Sequence, residues 1–582
     1  MERRGFALNR SGSASLGQVR LAGWQVRLLL WILPAFFLAF FFFYPLGAIF
    51  SLAFETALRE GISAVVWERI WRPLGFTIYQ AALSTMLTLL IGLPAAYVFG
   101  RFDFRGKEAL RVLTTIPFIM PTVVVAAGFN ALIGPQGVAN IFLMSRFDLA
   151  EPPIRVLNTL AAILLAHVFY NTTVILRVVG GAWSELDTRL EHAGRVLGAS
   201  RLRNFWEVTF PLLRPAILSA ALLVFLFSFT SFGVILLLGG PQFATIEVEI
   251  YIQTMQMLNL PLAGLLSAIQ LGATLLMTAL YARWSGRGKP VALMPRLRRE
   301  GLRPARGWRE RVLVAGVVIV LLALLISPLA AMTMRSVTRL DRDRGQDGEA
   351  GINLTLDYYR ELFINRRQAL FYVPPIAAVQ NSLFFASITV LISVSLGFLA
   401  SYALNKPSRA SRVVDPIMML PLGTSAVTLG LGFIVVFNRP PFDVRSFPLL
   451  LPIAHSLVAF PFVVRTLQPA LAAIPHRLRE AAGVLGASPW RVWRTVDLPI
   501  LARAALVSAI FSFTISLGEF GATTFLTRPE TPTIPIAIFR FIGQPGALNY
   551  GQALAMSTLL MLVCTLSILL MERIGVPGSS SK

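Results

Sequence analysis

The sequence has little charge, one cysteine and few histidines, and each shortage excludes a class of protein. Charged residues make up 14% of its 582 residues and hydrophobic residues 55%, whereas roughly a quarter of a soluble domain is charged. An ordinary soluble protein is therefore excluded. The single cysteine, Cys564, excludes an intrachain disulfide. Two of the four histidines, His167 and His455, fall in apolar segments without carboxylates or cysteines nearby, so we predict hydrogen bonds between helices there rather than a metal site.

The sequence also lacks the short motifs of nucleotide-binding and hydrolytic enzymes. No G-x-x-x-x-G-K-[ST] is present: the pairs Gly106-Lys107 and Gly288-Lys289 lack the upstream glycine and the following Ser or Thr. Neither H-E-x-x-H nor G-x-S-x-G occurs. We therefore expect no catalytic residues, no enzyme activity and no cofactor in this chain. If ATP is used, a separate protein must bind it.

Acidic residues are scarce relative to basic ones. The chain has 29 Asp and Glu against 52 Lys and Arg, a net charge of +23. A nucleic-acid partner is one interpretation, but the cytoplasmic loops of membrane proteins carry the same bias. Because the apolar content favours a membrane protein, we predict a lipid bilayer and no nucleic acid.

Long apolar runs are abundant, and each is long enough to cross a hydrocarbon core of about 30 Å. The first run exceeds 20 residues and has no clear cleavage site after it, which favours a retained span over a signal peptide. We predict an all-α membrane protein with twelve spans, at 27–54, 76–99, 112–133, 157–180, 212–238, 262–283, 312–335, 378–403, 414–437, 447–469, 500–526 and 549–572.

The positions of Lys and Arg predict the orientation of these spans. Segment 283–311 contains ten basic and two acidic residues, and the N-terminus and the connections 101–111 and 405–412 are also basic. Even numbers of spans separate these segments, so they share one side, which the positive-inside rule makes the cytoplasm. Both termini are then cytoplasmic.

The two halves of the chain are repeats. At a shift of 288 residues, Leu485-Gly486-Ala487-Ser488 matches Leu197-Gly198-Ala199-Ser200, and Phe520-Gly521 matches Phe232-Gly233. Six spans per repeat place both repeats in the membrane in the same direction, with a path between them. We predict a first unit at 1–283, a basic cytoplasmic linker at 284–310 and a second unit at 311–582.

A polar, basic stretch follows the fourth span of each unit, at 188–211 and 479–499. In the second copy, Gly486 suits the left-handed position after a short helix, and Ser488 and Pro489 suit the cap and first turn of another. One interpretation is an interfacial helix on anionic lipid. Two copies in register favour a pair of knobs that dock a twofold-symmetric partner.

The sequence EAAGVLGAS, followed by Leu498-Pro499, closely resembles the EAA loop in membrane subunits of binding-protein-dependent ABC importers. The resemblance covers nearly the whole chain. It implies a type I importer permease in a bacterial inner membrane, an ATP-binding cassette ATPase dimer as one partner and a solute-binding protein as another. By the same resemblance, these loops contact the ATPase through Glu480, Ala481, Ala482, Gly486 and Pro499 in the second unit and through Glu191, His192, Ala193, Gly198 and Pro211 in the first.

The first loop departs from the family pattern. Its aligned positions are His192, Ala193 and Gly194, with Glu191 displaced by one place. A glycine inside a helix costs up to ~1 kcal/mol relative to alanine. We therefore predict that the second loop contributes more of the docking free energy.

Glu519 is predicted to lie within the eleventh span, where a carboxylate usually faces a cavity or a partner. A position lining the translocation path is one interpretation; a structural hydrogen bond or a position near the outer interface is another. Its repeat equivalent is Ser231, so a path site formed by Glu519 and Ser231 would be asymmetric.

Among fused two-unit permeases, segments 164–171 and 229–251 resemble the thiamine type, and the whole chain is also similar to ferric iron permeases. The sequence LGEFGAT at 517–523 resembles permeases for oxyanions such as sulfate or molybdate. A secondary transporter driven by an ion gradient is the alternative from another class. Such a transporter would not need paired docking loops.

Overall fold

The structure is a computed structural model that describes residues 30–59, 64–240, 242–285, 302–339, 354–364, 374–405, 409–439, 442–443 and 447–574. Most of the predicted linker, at 286–301, and both chain ends lie outside the described residues.

The first unit is helical throughout, with one short strand. Residues 30–38 are helical, and a π-helical turn, Ala39–Phe43, joins them to the next helix within one candidate span, Leu30–Glu55. The elements are α1 (Tyr44–Arg59), α2 (Ala64–Arg101), β1 (Phe102–Asp103), α3 (Lys107–Ile119), α4 (Thr122–Ile133), α5 (Val138–Phe147), α6 (Leu160–Glu185), α7 (Thr188–Val196), α8 (Arg201–Asn204), α9 (Phe210–Phe229), α10 (Gly233–Leu238), α11 (Ile246–Tyr251) and α12 (Leu260–Ser285).

The main helices of the second unit follow the same order. The elements of this half are β2 (Arg303–Pro304), α13 (Trp308–Ser336), α14 (Asp357–Glu361), α15 (Pro375–Leu404), α16 (Arg409–Met418), α17 (Ala426–Phe437), β3 (Asn438–Arg439), β4 (Phe442–Asp443), α18 (Leu450–Ala472), α19 (His476–Val484), α20 (Pro489–Val492), α21 (Leu498–Gly518), α22 (Gly521–Leu526), α23 (Ile534–Ile542) and α24 (Ala547–Ile574). This half has an added short helix, α14, and the strands β3 and β4 where the first unit has α5; β2 belongs to the end of the linker. The small strands form two separate pairs, β1 with β2 and β3 with β4.

Within the described residues, eleven helices are long and apolar enough to cross a membrane. A pair of helices, Ser411–Gly423 and Ala426–Phe437, is bent by 95° and makes a twelfth candidate if it is counted as one span. The bend follows Pro416 and Pro421, whose missing N–H groups interrupt helical hydrogen bonding. The predicted all-α membrane fold in two repeats is confirmed, with eleven or twelve candidate spans.

The fifth span of each unit was predicted as one continuous helix, and this prediction is wrong. In the first unit the helix ends at Phe229 and resumes at Gly233; in the second it ends at Gly518 and resumes at Gly521. Phe232 at the first break and Phe520 at the second contact each other across the two units. Glu519 therefore lies in a break with extended backbone (ψ 124°) and not in a helix.

Each unit packs its first helix against the other unit. A Cβ added to Gly128 in α4 would come within 3.0 Å of the Pro328 carbonyl in α13. A Cβ added to Gly432 in α17 would come within 3.0 Å of Pro45 in α1. Gly128 and Gly432 occupy equivalent positions in the repeat, and small residues allow membrane helices to approach closely. The reciprocal contact is that of two parallel units related by a pseudo-twofold axis.

Candidate functional sites: the cytoplasmic loops and the contact between the units

The first of the two predicted docking loops is a helix, a glycine turn and a second helix. The nine-residue helix α7 ends before Gly198, whose φ of +85° is readily adopted only by glycine. Ser200 then caps α8, its hydroxyl accepting a hydrogen bond from Arg203 N at 3.3 Å. A widened turn, Phe205–Thr209, joins α8 to the membrane helix α9.

The second loop repeats this geometry. Helix α19 also has nine residues, Gly486 has a φ of +77°, and the Ser488 hydroxyl accepts from Arg491 N at 3.4 Å. Pro489 begins α20, and the widened turn Trp493–Asp497 leads into α21. The helix–turn–helix predicted from the sequence is confirmed in both units.

The residues predicted to contact an ATPase lie on the open side of these loops. The exposed ones are Glu480, Ala481, Gly486 and Pro499 in the second unit and His192, Ala193, Gly198 and Pro211 in the first. Ala482 is half-buried in the second loop and Glu191 in the first. Their contact with a partner stays a prediction.

Sequence reasoning missed the most exposed apolar residues of each loop. Val196 and Leu197 are 87% and 88% exposed, and their repeat equivalents Val484 and Leu485 are 88% and 86% exposed. The sequence does contain a signal for these residues: Val-Leu-Gly occurs at the predicted turn of both loops, where apolar side chains have no protein core to pack against. We call these four side chains the loop tips.

An ion pair fixes the first loop to its own unit. The Arg101 guanidinium at the end of α2 donates to the Glu191 carboxylate in α7. Thr209 Oγ1 donates to the same carboxylate at 3.1 Å, and Asn204 Nδ2 donates to the Glu191 carbonyl at 3.1 Å. Glu191 therefore turns inward as an anchor of the loop.

The second loop has an ion pair at equivalent loop positions, but that pair lies within the loop and a tyrosine hydroxyl links it to its unit. Arg479, the repeat equivalent of Glu191, donates from Nε to Asp497 Oδ1 at 2.8 Å. Asp497 occupies the position of Thr209, and its other oxygen accepts from Tyr402 Oη at 3.1 Å. Tyr402 is in α15, which corresponds to α2 of the first unit.

Gly194 has a packing role that the sequence comparison did not reveal. A Cβ there would overlap the side-chain oxygen of Asn204, so the glycine allows α7 and α8 to approach closely. Glycine has a conformational cost in a helix, but at this position alanine would collide with Asn204.

The end of the linker pairs with the first unit beside this anchor. β2 runs parallel to β1, with Arg303 opposite Phe102 and Pro304 opposite Asp103. The Arg303 guanidinium lies 5.1 Å from the centre of the Phe102 ring. Lys107 Nζ donates to the Phe102 carbonyl at 2.7 Å, and burial lowers the pKa of Lys107 to about 8.

The two broken spans meet at the contact between the units. Phe232 and its repeat equivalent Phe520 stack, with ring centres 5.6 Å apart and planes inclined by 23°. Tyr251 contacts Phe232 and Phe525 edge-on. Phe232 and Phe520 are buried, so in this conformation these rings fill the space between the two units. We call this cluster the aromatic closure.

Glu519 caps the short helix that follows its break. Its carboxylate accepts hydrogen bonds from Ala522 N and Thr523 N, both at 2.9 Å, and from Thr523 Oγ1 at 2.5 Å. His455 Nε2 lies 3.3 Å from Glu519 Oε2. The structure therefore gives Glu519 a structural hydrogen-bonding position next to the aromatic closure; its role in a path stays a prediction.

The two histidines form hydrogen bonds between helices, as predicted. His167 bonds Ser84 Oγ at 2.8 Å and Ser231 Oγ at 2.9 Å. His455 bonds Ser516 Oγ and Thr523 Oγ1, both at 2.8 Å. Ser231 and Glu519, equivalent in the repeat, thus both lie beside the matched histidines. Within the described ranges, no group of three His, Cys, Asp or Glu side chains is placed to hold a metal ion.

Replacing Glu519 by glutamine is expected to lower transport at least about tenfold. The Gln amide N–H would face one of the two backbone donors, so charge-assisted hydrogen bonds worth ~1.5–3 kcal/mol each are lost. Uptake and the yield of assembled complex are measured together. Ser231→Ala is the comparison, since it removes one neutral bond to His167. Unchanged uptake in Glu519→Gln would contradict the prediction.

Known proteins resemble this chain along most of its length. The family model described as "Binding-protein-dependent transport system inner membrane component" matches residues 88–342 and 393–575. A probable ABC transporter permease protein of Sinorhizobium fredii is 26% identical over 545 residues, covering 92% of each chain. A thiamine transport system permease protein of Salmonella typhimurium is 26% identical, covering 91% of this chain and 95% of its own. A ferric transport system permease protein of Actinobacillus pleuropneumoniae is 24% identical, covering 93% and 78%.

Two multi-span units, a matched pair of loops and family matches in both halves agree with one another. On this basis the chain belongs to the binding-protein-dependent transport system inner membrane components, as an ABC permease with both units fused in one polypeptide.

Proposed function

We propose that this chain forms the membrane path of an ATP-driven importer. The loop tips of its first and second loops dock the two ATPase subunits, one loop to each subunit. The observation that carries the proposal is the matched pair of loops, each with an exposed Val-Leu at its turn. Exposed apolar side chains beside charged helices are typical of a protein interface. The aromatic closure between the units is the point at which a solute would cross.

The partners follow from this arrangement. ATP hydrolysis belongs to a separate ATP-binding cassette dimer, and a solute-binding protein delivers the solute on the opposite side. Coexpression with the candidate ATPase and copurification in detergent test the first contact. ATP-dependent uptake into vesicles that contain the complex and the binding protein tests the whole cycle. Uptake driven by an ion gradient, without any ATPase, would contradict the proposal.

For the solute, we propose thiamine. Relatives that match this chain over about nine-tenths of its length are named as thiamine permeases, and one similar over the same span is named as a ferric permease. Uptake of labelled thiamine, ferric iron and sulfate is compared in the same vesicles. Thiamine uptake supports the proposal, whereas uptake of iron or sulfate alone would assign the solute differently.

The proposed orientation places the linker and both ends of the chain in the cytoplasm, because the basic segments share one side. In a Cys564→Ala background, a cysteine at Ser285 is expected not to react with an impermeant thiol reagent added to intact cells. A cysteine at Leu354, 76% exposed and predicted on the other side, is expected to react. Labelling at position 285 from outside would contradict this orientation.

A further inference from the structure

A second buried carboxylate, Glu247 in α11, joins the two units. Its side chain has no exposed surface. Oε1 accepts from Gln270 Nε2 at 2.7 Å, within the first unit, and Oε2 accepts from Ser425 Oγ at 2.5 Å, in the second unit. Both donors are neutral. A buried carboxylate is costly unless its oxygens are satisfied, so both hydrogen bonds matter to the stability of this contact.

Ser425 connects the carboxylate to the start of a helix. Its hydroxyl oxygen accepts from Val427 N at 3.1 Å and from Thr428 N at 3.4 Å, which caps the twelve-residue helix α17. Ser425 therefore places the Glu247 carboxyl group at the start of α17, across the contact between the units.

This bond lies between the aromatic closure and the break at Glu519. Tyr251, one helical turn after Glu247, contacts rings of both units, Phe232 and Phe525. Next to Ser425, the start of α17 packs on the second break: a Cβ on Gly521 would come within 3.0 Å of Ala426 Cβ. Separating the two units at this point would move α11 away from α17 and break the bond between Glu247 and Ser425.

We propose that Glu247 is a latch of the transport cycle. Its hydrogen bond to Ser425 holds α11 of the first unit against α17 of the second while the path is closed, and this bond separates when the path opens. The latch exists on one side only, because the repeat equivalent of Glu247 is Pro535. The inference rests on the proposed transport function and adds a positioning residue to it.

Thiol labelling in the full chain tests the latch without requiring ATP. In a Cys564→Ala background, Tyr251→Cys reports access to the contact between the units. Glu247→Ala and Ser425→Ala are each expected to raise the labelling rate about tenfold, since each removes the hydrogen bond that joins the two units. The two changes together should raise it by less than the product of the two single effects, because both remove this one bond between the units.

Glu249 provides a matched control on the same helix. Its carboxylate accepts from Gln253 Nε2 at 2.6 Å, and both residues belong to the first unit. Glu249→Ala should leave the labelling rate unchanged. Equal labelling in Glu247→Ala and Glu249→Ala would overturn the latch. If Glu247→Ala does not assemble, Ser425→Ala decides in the same way.

A second measurement separates the latch from the proposed function. With Tyr251 intact and the ATPase bound, Glu247→Ala should raise ATP hydrolysis in the absence of binding protein several-fold, because the closed state is weakened. Unchanged hydrolysis in this variant would count against the latch. A wild-type complex that neither hydrolyses ATP nor takes up solute would overturn the proposed function, while the labelling result still decides the latch.

Discussion

Copurification of the ATPase with this chain is expected to be abolished when Leu197 and Leu485 are both replaced by glutamate. These loop-tip side chains are 88% and 86% exposed in the free chain. Burying a leucine in a partner stabilises an interface by ~1.5–3 kcal/mol, and an unpaired carboxylate in its place adds a desolvation penalty. The double variant should therefore weaken binding more than about a hundredfold.

The single variants test whether the two loops contribute equally. Because the second loop matches the family pattern better, Leu485→Glu is expected to release more ATPase than Leu197→Glu at equal membrane expression. Leu354→Glu, at an exposed site predicted on the opposite side of the membrane, controls for the added charge. Retention of ATPase by the double variant would exclude the loop tips as the docking surface.

Arg101→Glu is expected to detach the first loop from its unit and to abolish transport. The Arg101 and Glu191 side chains are only 9% and 19% exposed, and removing one partner of a buried ion pair costs ~3–5 kcal/mol. The reversal also places two carboxylates together. The midpoint temperature of thermal unfolding in detergent and the rate of ATP-dependent uptake are measured for this variant. Both should fall relative to the unchanged chain.

Charge exchange gives the decisive comparison for this anchor. Arg101→Glu combined with Glu191→Arg restores an ion pair and should recover most of the midpoint temperature. Arg303→Glu serves as the control, because its partner Glu310 lies 2.7 Å away in an exposed pair and such pairs contribute ~0–1 kcal/mol. If the doubly exchanged chain is no more stable than Arg101→Glu alone, the pair does not anchor the loop.

Features that follow from apolar runs and from glycine, serine and proline at turns and helix ends were predictable from the sequence. Runs of apolar residues gave the spans, and Gly486, Ser488 and Pro489 gave the turn and cap of the second loop, because each residue type suits one backbone position. The repeat gave the equivalent first loop. These are local properties, which a single sequence encodes directly.

Features that depend on contact between distant residues were not predictable. The breaks before Gly233 and Gly521 occur inside apolar runs, and the sequence gives no sign that Phe232 will meet Phe520. Glu191 was interpreted as a displaced motif residue, yet the structure pairs it with Arg101, 90 positions earlier. The contact of Glu247 with Ser425 could not be predicted from the sequence because the two residues are 178 positions apart.

The one-sided contact of Glu247 can form only between a first unit and a second unit. In a pair of two first units, Glu247 would face another first unit. Ser425 belongs to the second unit, so this hydrogen bond could not form. Separate chains would have to select unlike partners in the membrane by affinity alone. Synthesis as one polypeptide fixes the stoichiometry at one of each, so the two halves were free to become different without producing mismatched assemblies.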